Sequence, residues 1–244
     1  MNVYLHSISG IEDAIISMYI SKRNWSRELE NHVFDVCERA LDRRGRLLNP
    51  GEGNCTEEDR KQLDDWLSRL TKWGWKHVTL LRFIDMAITV EGLHRAGQDD
   101  WDSHAKRFNN RIIRSSTRLS SFSYEMSDWY KDKILPTDMA LKLLNMECPE
   151  KIEVDGQTYV RAVNGYIRKG LEEQADVRRG LYMLSIPSTF LFKVDLAEWS
   201  HVFKERNQNG TANPEVKICC ETIADQIEQF IPQFNRELFL KILN

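Results

Sequence analysis

The stretch Thr56–Gly74 limits what this chain can fold into more than any other segment. Thr56 is a helix-capping residue type, followed by Glu57, Glu58 and Asp59 at the positive end of the helix dipole. Leu63, Trp66, Leu67, Leu70 and Trp73 then recur at helical spacing. One face of a long helix is therefore committed to a core that takes indole rings. Gly74 stands where helices commonly stop. A second start is equally clear: Asn213 as cap, Pro214 in the first turn and Glu215 against the dipole. Its apolar stripe is Val216, Cys219, Cys220, Ile223, Ile227 and Phe230.

Weaker periodicities predict further helices over Ile11–Ser21, Asn31–Leu47, Thr137–Met146, Ala162–Glu173, Asp176–Leu184 and Leu196–Glu205, and helix in part of Glu91–Asn110. His77–Val90, Arg118–Tyr124 and Ser188–Val194 read as strands. Lys151–Val160 carries the clearest hairpin signal, with Asp155-Gly156 between two β-prone runs. Gly51–Asn54 and Asn207–Gly210 are loops. The sum is an α+β fold: one helix-rich domain over residues 1–244 with a small, mainly antiparallel sheet.

Charge and composition exclude several classes. A net charge of −3 over 244 residues gives no global reason for nucleic-acid binding, and 41% hydrophobic residues argue against long disorder. The most apolar segment, Leu181–Leu196, is interrupted by Pro187, Lys193 and Asp195, so no membrane span is expected. The N-terminal residues lack a secretory pattern, and a cytoplasmic location is the expectation. Cys37, Cys55, Cys148, Cys219 and Cys220 form no CxxC pair and read as reduced, mostly apolar fillers. Asp99, Asp100 and Asp102 read as solvated loop carboxylates, and no metal site is expected.

Chemistry concentrates in Lys106–Ser120, which packs five cationic side chains and four hydroxyls into one short stretch. Guanidinium forks match phosphate oxygens in pairs, and serine hydroxyls add neutral donors. Such a stretch suits an anion, although a solvated basic face has the same composition.

The same stretch resembles the flavin-dependent thymidylate synthases. That family carries an Arg-His-Arg triplet, seven residues, then a serine in the context S-x-R-Y-S. Here Lys106-Arg107-Phe108 occupies the triplet, and Ser116-Thr117-Arg118-Leu119-Ser120 follows at the same spacing. A second block is similar to the family's A-R-x-x-L-P-L, N-A-R-S-L, L-R and H-A-Q-x-E-I elements. It runs from Arg179 through Asp195-Leu196-Ala197-Glu198-Trp199 to Arg206 without a gap, then reaches Ala212-Asn213-Pro214-Glu215-Val216 after one inserted residue. A third block, Lys76-His77 and then Glu91-Gly92-Leu93-His94-Arg95-Ala96, completes the family order.

The resemblance implies a homotetramer that binds FAD and deoxyuridine monophosphate (dUMP) side by side. NADPH would reduce the flavin, and methylenetetrahydrofolate would donate the carbon that turns dUMP into dTMP. Carried over position by position, Ser116, Arg118, Arg179 and Arg206 belong to the nucleotide, with Ser116 and Arg206 in the catalytic role. His77, Lys106, Arg107, Asp195 and His201 belong to the flavin. The departures fall on the flavin half: Arg107 replaces the triplet histidine, Phe108 cannot donate a hydrogen bond, and Asp195 and His201 stand where the family has asparagines. Two alternatives follow from them. One is a different one-carbon transfer, such as hydroxymethylation of a pyrimidine nucleotide. The other is a nucleotide-binding homologue without flavin catalysis.

Overall fold

The structure is a computed structural model that describes residues 1–101, 111–115, 127, 130, 140–142, 144–162, 164–174, 177, 184–208 and 212–242. It begins with β1 (Asn2–Ser9), α1 (Ile11–Ser21), α2 (Arg27–Ala40) and α3 (Glu57–Gly74). Thr56 and Asp59 form a reciprocal capping box at the start of α3, and Leu63, Trp66, Leu67 and Leu70 are buried. Gly74 is the last residue of α3, but not as a left-handed stop, because Trp75 keeps helical angles. A side chain there would place its Cβ 2.8 Å from the branched tip of Leu81. That glycine therefore answers a packing demand.

Helix α2 is shorter at its end than the sequence pattern predicts. Asp42 accepts the N–H groups of Arg44 (2.8 Å) and Arg46 (3.0 Å), which turns the chain back so that Leu41 bridges Leu47. A short aspartate side chain offers the backbone an alternative to the helix, and here it wins.

The next segment also differs from expectation. Val78–Phe83 is a 3₁₀ turn with Leu80 and Leu81 buried, and only β2 (Asp85–His94) is strand. α4 (Arg95–Trp101) follows immediately, and β3 is Arg111–Arg114. The predicted Arg118–Tyr124 strand lies outside the described residues, as does most of Asp176–Leu184; of the helix predicted over Thr137–Met146, residues 140–142 are helical and Asn145 turns left-handed with φ 53°.

β4 (Lys151–Val154) and β5 (Gln157–Ala162) form the expected hairpin. Asp155 and Gly156 both have positive φ (51° and 72°), the signature of a two-residue turn whose twist matches the strands. The helix read over Ala162–Glu173 is instead a second turn and β6 (Gly165–Arg168). Asn164 takes a left-handed φ of 60°, which breaks a helix, and β-prone Tyr166 and Ile167 follow it.

β7 (Pro187–Asp195), α5 (Leu196–Gln208), α6 (Pro214–Phe230) and α7 (Arg236–Lys241) complete the described elements. The main sheet has the order β1-β2-β7-β3, antiparallel throughout, and β4-β5-β6 form a second sheet. β1 escapes a simple alternation test because a bulge between Leu5 and Ser7 shifts its inward set from Val3 and Leu5 to Ile8. Met86, Ile88 and Val90 of β2 and Phe190, Phe192 and Val194 of β7 are buried together with the helices. Trp101 packs on Phe192 at 5.1 Å and on Trp199 at 6.0 Å between ring centres, which ties α4 and α5 to the sheet. Among the described residues no helix is long and apolar enough to cross a membrane.

Candidate functional site

β2 ends at buried His94 exactly opposite Pro187, where β7 begins, and this end of the sheet gathers several chain segments. Arg95 N–H donates to the Ile186 carbonyl (3.0 Å) and Ala96 N–H to the Leu184 carbonyl (3.0 Å). Ser127 N–H donates to the Ser185 carbonyl (2.9 Å), and Ser115 N–H to the Thr189 carbonyl (2.9 Å). Residues that flank 116–126 and 178–183 in the sequence are thus pinned around the first turn of β7.

The junction has a polar interior. Glu215, the second residue of α6, is buried; its Oε1 accepts the Ser127 hydroxyl at 2.8 Å. His94 Nε2 lies 3.1 Å from Glu215 Oε2, an ion-pair distance whose direction misses the line of a good hydrogen bond. His94 Nδ1 accepts the Gly97 N–H at 2.8 Å, which leaves the ring proton on Nε2, facing the carboxylate. The His94 and Tyr130 rings meet at nearly right angles with their centres 4.8 Å apart.

Arg206 reaches the same junction from the last turn of α5 and is buried. Its Nη1 donates to Asp100 Oδ1 at 2.8 Å and its Nη2 to the Asp100 carbonyl. The neighbouring Asp99 accepts from Arg114 of β3 at 2.8 Å. The acidic run is therefore not merely solvated: Asp99 and Asp100 each hold an arginine. Among the described residues no cluster of histidine, cysteine or carboxylates has metal-binding geometry.

Asp195 sits at the opposite end of α5. Its Oδ1 accepts the Glu198 N–H at 2.8 Å, a helix-cap bond. Asp195 and Arg206 are eleven residues apart, about 16 Å along a helix that rises 1.5 Å per residue. A small ligand cannot touch both, whereas two adjacent ligands can. His201 lies between them, half-buried. His77 is exposed before the 3₁₀ turn, and that turn packs on α5. It lines a cavity of about 420 Å³ with Lys72, Trp73, Trp75 and Lys76. Lys22 covers the Trp73 ring at 3.4 Å and Lys241 the Trp75 ring at 4.4 Å.

Of the residues predicted from sequence, His77, Asp195, His201 and Arg206 are described, and only Arg206 stands at the junction itself. Lys106, Arg107, Ser116, Arg118 and Arg179 lie outside the described residues. The sequence reading missed His94 and Asp100 as members of the site and took Glu215 as a dipole partner and part of the second family-like block, without a role in the site. A histidine ending an apolar strand was the one available signal. Buried Cys219 and Cys220 on α6 are not nucleophiles near neutral pH, because burial pushes both thiols well above their ordinary range.

No protein-family model and no curated protein matches the sequence. Solved structures do match the fold. One is the flavin dependent thymidylate synthase ThyX from Helicobacter pylori complexed with FAD and dUMP, at 9% identity and a TM-score of 0.54, covering 100% of both chains. Another structure of that enzyme with FAD and dUMP matches at 10% identity and a TM-score of 0.51, covering 96% of this chain and 99% of the other. The chain has the fold of these flavin-dependent thymidylate synthases.

Proposed function

We propose that this chain is a divergent flavin-dependent thymidylate synthase that binds FAD and converts dUMP, or a close pyrimidine deoxynucleotide, by reductive one-carbon transfer. Methylenetetrahydrofolate and NADPH are its co-substrates, residues 1–244 act as one domain, and the working form is a homotetramer. The observation that carries this reading is the convergence at the start of β7. The sequence segment holding Ser116 and Arg118 is bounded by Ser115 and Ser127, and the segment holding Arg179 leads into Leu184 and Ser185. Backbone hydrogen bonds bring these boundary residues together within the junction that Arg206 enters. Motif residues far apart in sequence are thereby supported as parts of one anion site, where several charged donors favour a phosphate.

The residues present fit a flavin in part. The cavity beside His77 offers two lysines and the flanks of two indoles to a flat ring system with a negatively charged tail, although Lys22 and Lys241 already cover one face of each indole. When bound, a reduced flavin supplies hydride. The chain's own side chains bind, orient and stabilise charge. In this reading Arg206 and Arg118 hold the nucleotide, Ser116 contacts it near the reacting ring, and His77, Lys106, Arg107, Asp195 and His201 line the flavin side.

One observation favours the flavin-independent homologue as a second reading. The Asp195 carboxylate already caps α5, which competes with service to a cofactor. The visible absorption spectrum of the purified protein, with FAD and then dUMP added, separates the two. Flavin bands perturbed by dUMP are expected. No flavin binding under any condition, with dUMP binding intact, would overturn the synthase assignment. If bound flavin supports turnover, product mass distinguishes methyl from hydroxymethyl transfer.

A further inference from the structure

The polar group beneath the junction has no place in the flavin or nucleotide assignments above, yet it holds the pieces of the site together. Glu215 meets three elements at once. Through Oε1 it accepts the hydroxyl of Ser127, the first described residue after 116–126. Through Oε2 it faces His94 Nε2 at 3.1 Å and the His94 backbone N–H at 3.4 Å. His94 passes the constraint on, because its Nδ1 accepts the Gly97 N–H and so fixes the first turn of α4. Three residues after Gly97, Asp100 holds Arg206. Asp100 Oδ2 is also 3.5 Å from the N–H of Asn213, which caps the helix that carries Glu215. The path Glu215–His94–Gly97–Asp100–Asn213 closes on itself around the base of the site.

We propose that Glu215 is a positioning residue for the nucleotide site: it holds Ser127 beside the start of β7 and, through His94 and α4, supports the Arg206 socket. The inference rests on the nucleotide reading above. A buried carboxylate is costly unless donors reach it, so its survival here reflects the donors it organises. Apolar packing could join α6 to β2 without it. What apolar packing cannot supply is a hydrogen bond to a serine hydroxyl together with a polar contact to an imidazole. Tyr130 adds a second contact on the Ser127 side through its near-perpendicular ring contact with His94.

The test compares Glu215→Ala, Glu215→Gln and Ser127→Ala with wild type by dUMP calorimetry. Hydrogen exchange is read at residues 94–97 and 127–130 without nucleotide. A glutamine keeps a polar group beside His94 Nε2, and the Ser127 hydroxyl can donate to its carbonyl or accept from its amide. Alanine takes the acceptor from the buried Ser127 hydroxyl and removes the polar neighbour of His94. We expect Glu215→Ala to weaken dUMP about tenfold or more, Ser127→Ala about three- to tenfold, and Glu215→Gln less than about threefold. Exchange should rise at both segments in Glu215→Ala and at 127–130 in Ser127→Ala. If Glu215→Ala does not fold, Ser127→Ala decides alone, since it removes one hydroxyl. Wild-type dUMP affinity in the alanine variants, or the same loss in the glutamine variant as in the alanine one, would sink the proposal. A wild-type protein that binds no dUMP defeats the nucleotide reading instead. The anchoring is then judged by exchange, and unchanged exchange in both alanine variants refutes it.

Discussion

Arg206→Ala puts a structural and a ligand-binding role in direct competition. In the structure the guanidinium is buried, and both of its Nη groups donate to Asp100. Truncation deletes a charged hydrogen bond and a bond to a main-chain carbonyl, and it opens a void where the aliphatic stem ran. Losing one partner of a fully buried pair costs about 3–5 kcal/mol. Asp100 is 30% exposed and can recover some water, so about 2–4 kcal/mol is the working figure. For a chain of this size each kcal/mol moves the melting temperature by about 2–4 °C. Arg206→Ala should therefore melt roughly 5–15 °C below wild type, by calorimetry without ligand. Asp100→Asn keeps the shape, one acceptor and the carbonyl contact, and should cost less than half as much. If Arg206 also holds the nucleotide, dUMP affinity at a temperature where both proteins are folded falls by a further ~1–3 kcal/mol in Arg206→Ala. A melting temperature within about 2 °C of wild type would refute the structural part, because such an error equals less than about 1 kcal/mol. Unchanged dUMP affinity would remove Arg206 from the nucleotide site and leave it as a strut between α4 and α5.

Further outcomes follow from other places in the fold. Asp59 accepts three hydrogen-bond contacts from Arg39 and bonds to Thr56, and these hold its carboxyl well below the usual range. Its stabilising contribution is thus complete above the unfolded aspartate value of about 3.9 and is lost as pH falls through the lower folded value. Urea midpoints should show wild type and Asp59→Asn far apart at pH 7 and converging below about pH 4, and parallel curves would refute this. Gly74→Ala should destabilise by about 1–3 kcal/mol through overpacking against Leu81, measured by urea unfolding; a neutral result would mean that Leu81 re-packs freely. Burial, with a smaller push from Glu12, raises the Cys37 thiol to about 12. Mass mapping after brief treatment with a thiol reagent at pH 8 should therefore find half-exposed Cys148 labelled and Cys37 untouched until the protein unfolds.

The helices and the hairpin were legible in the sequence because each is decided locally. The cap, dipole charges and stripe of α3 agree with one another, as do those of α6, and Asp155-Gly156 has a single favourable turn. Errors arose where a distant or short-range polar interaction overrides periodicity. Asp42 halts α2, Asn164 turns a helix-like run into β6, and bulges at His6 and Gly92 hide the period of β1 and β2. For the site, the resemblance pointed to the arginine at 206 but not to its partner Asp100. Nothing in the sequence tells which carboxylate, 106 positions away, will face it.

That partner changes how the site must be understood. An anion site needs several guanidinium groups close together, and their mutual repulsion opposes assembly before the ligand arrives. Asp99 and Asp100 are adjacent on α4, and adjacent helical residues point in different directions. One takes Arg114 at the sheet edge and the other Arg206 on α5. The acidic run thus offsets positive charge on both sides of the junction and fixes where the arginines stand. On the proposed reading, an incoming phosphate would meet arginines whose charge is already partly offset and whose places are fixed. If Arg206 holds the nucleotide as proposed, the contact has to share or exchange the N–H groups that now donate to Asp100. Asp100→Asn discriminates between these. Tighter dUMP binding than wild type means that the carboxylate competes with the nucleotide for the guanidinium, and weaker binding means that it aims the guanidinium at the nucleotide.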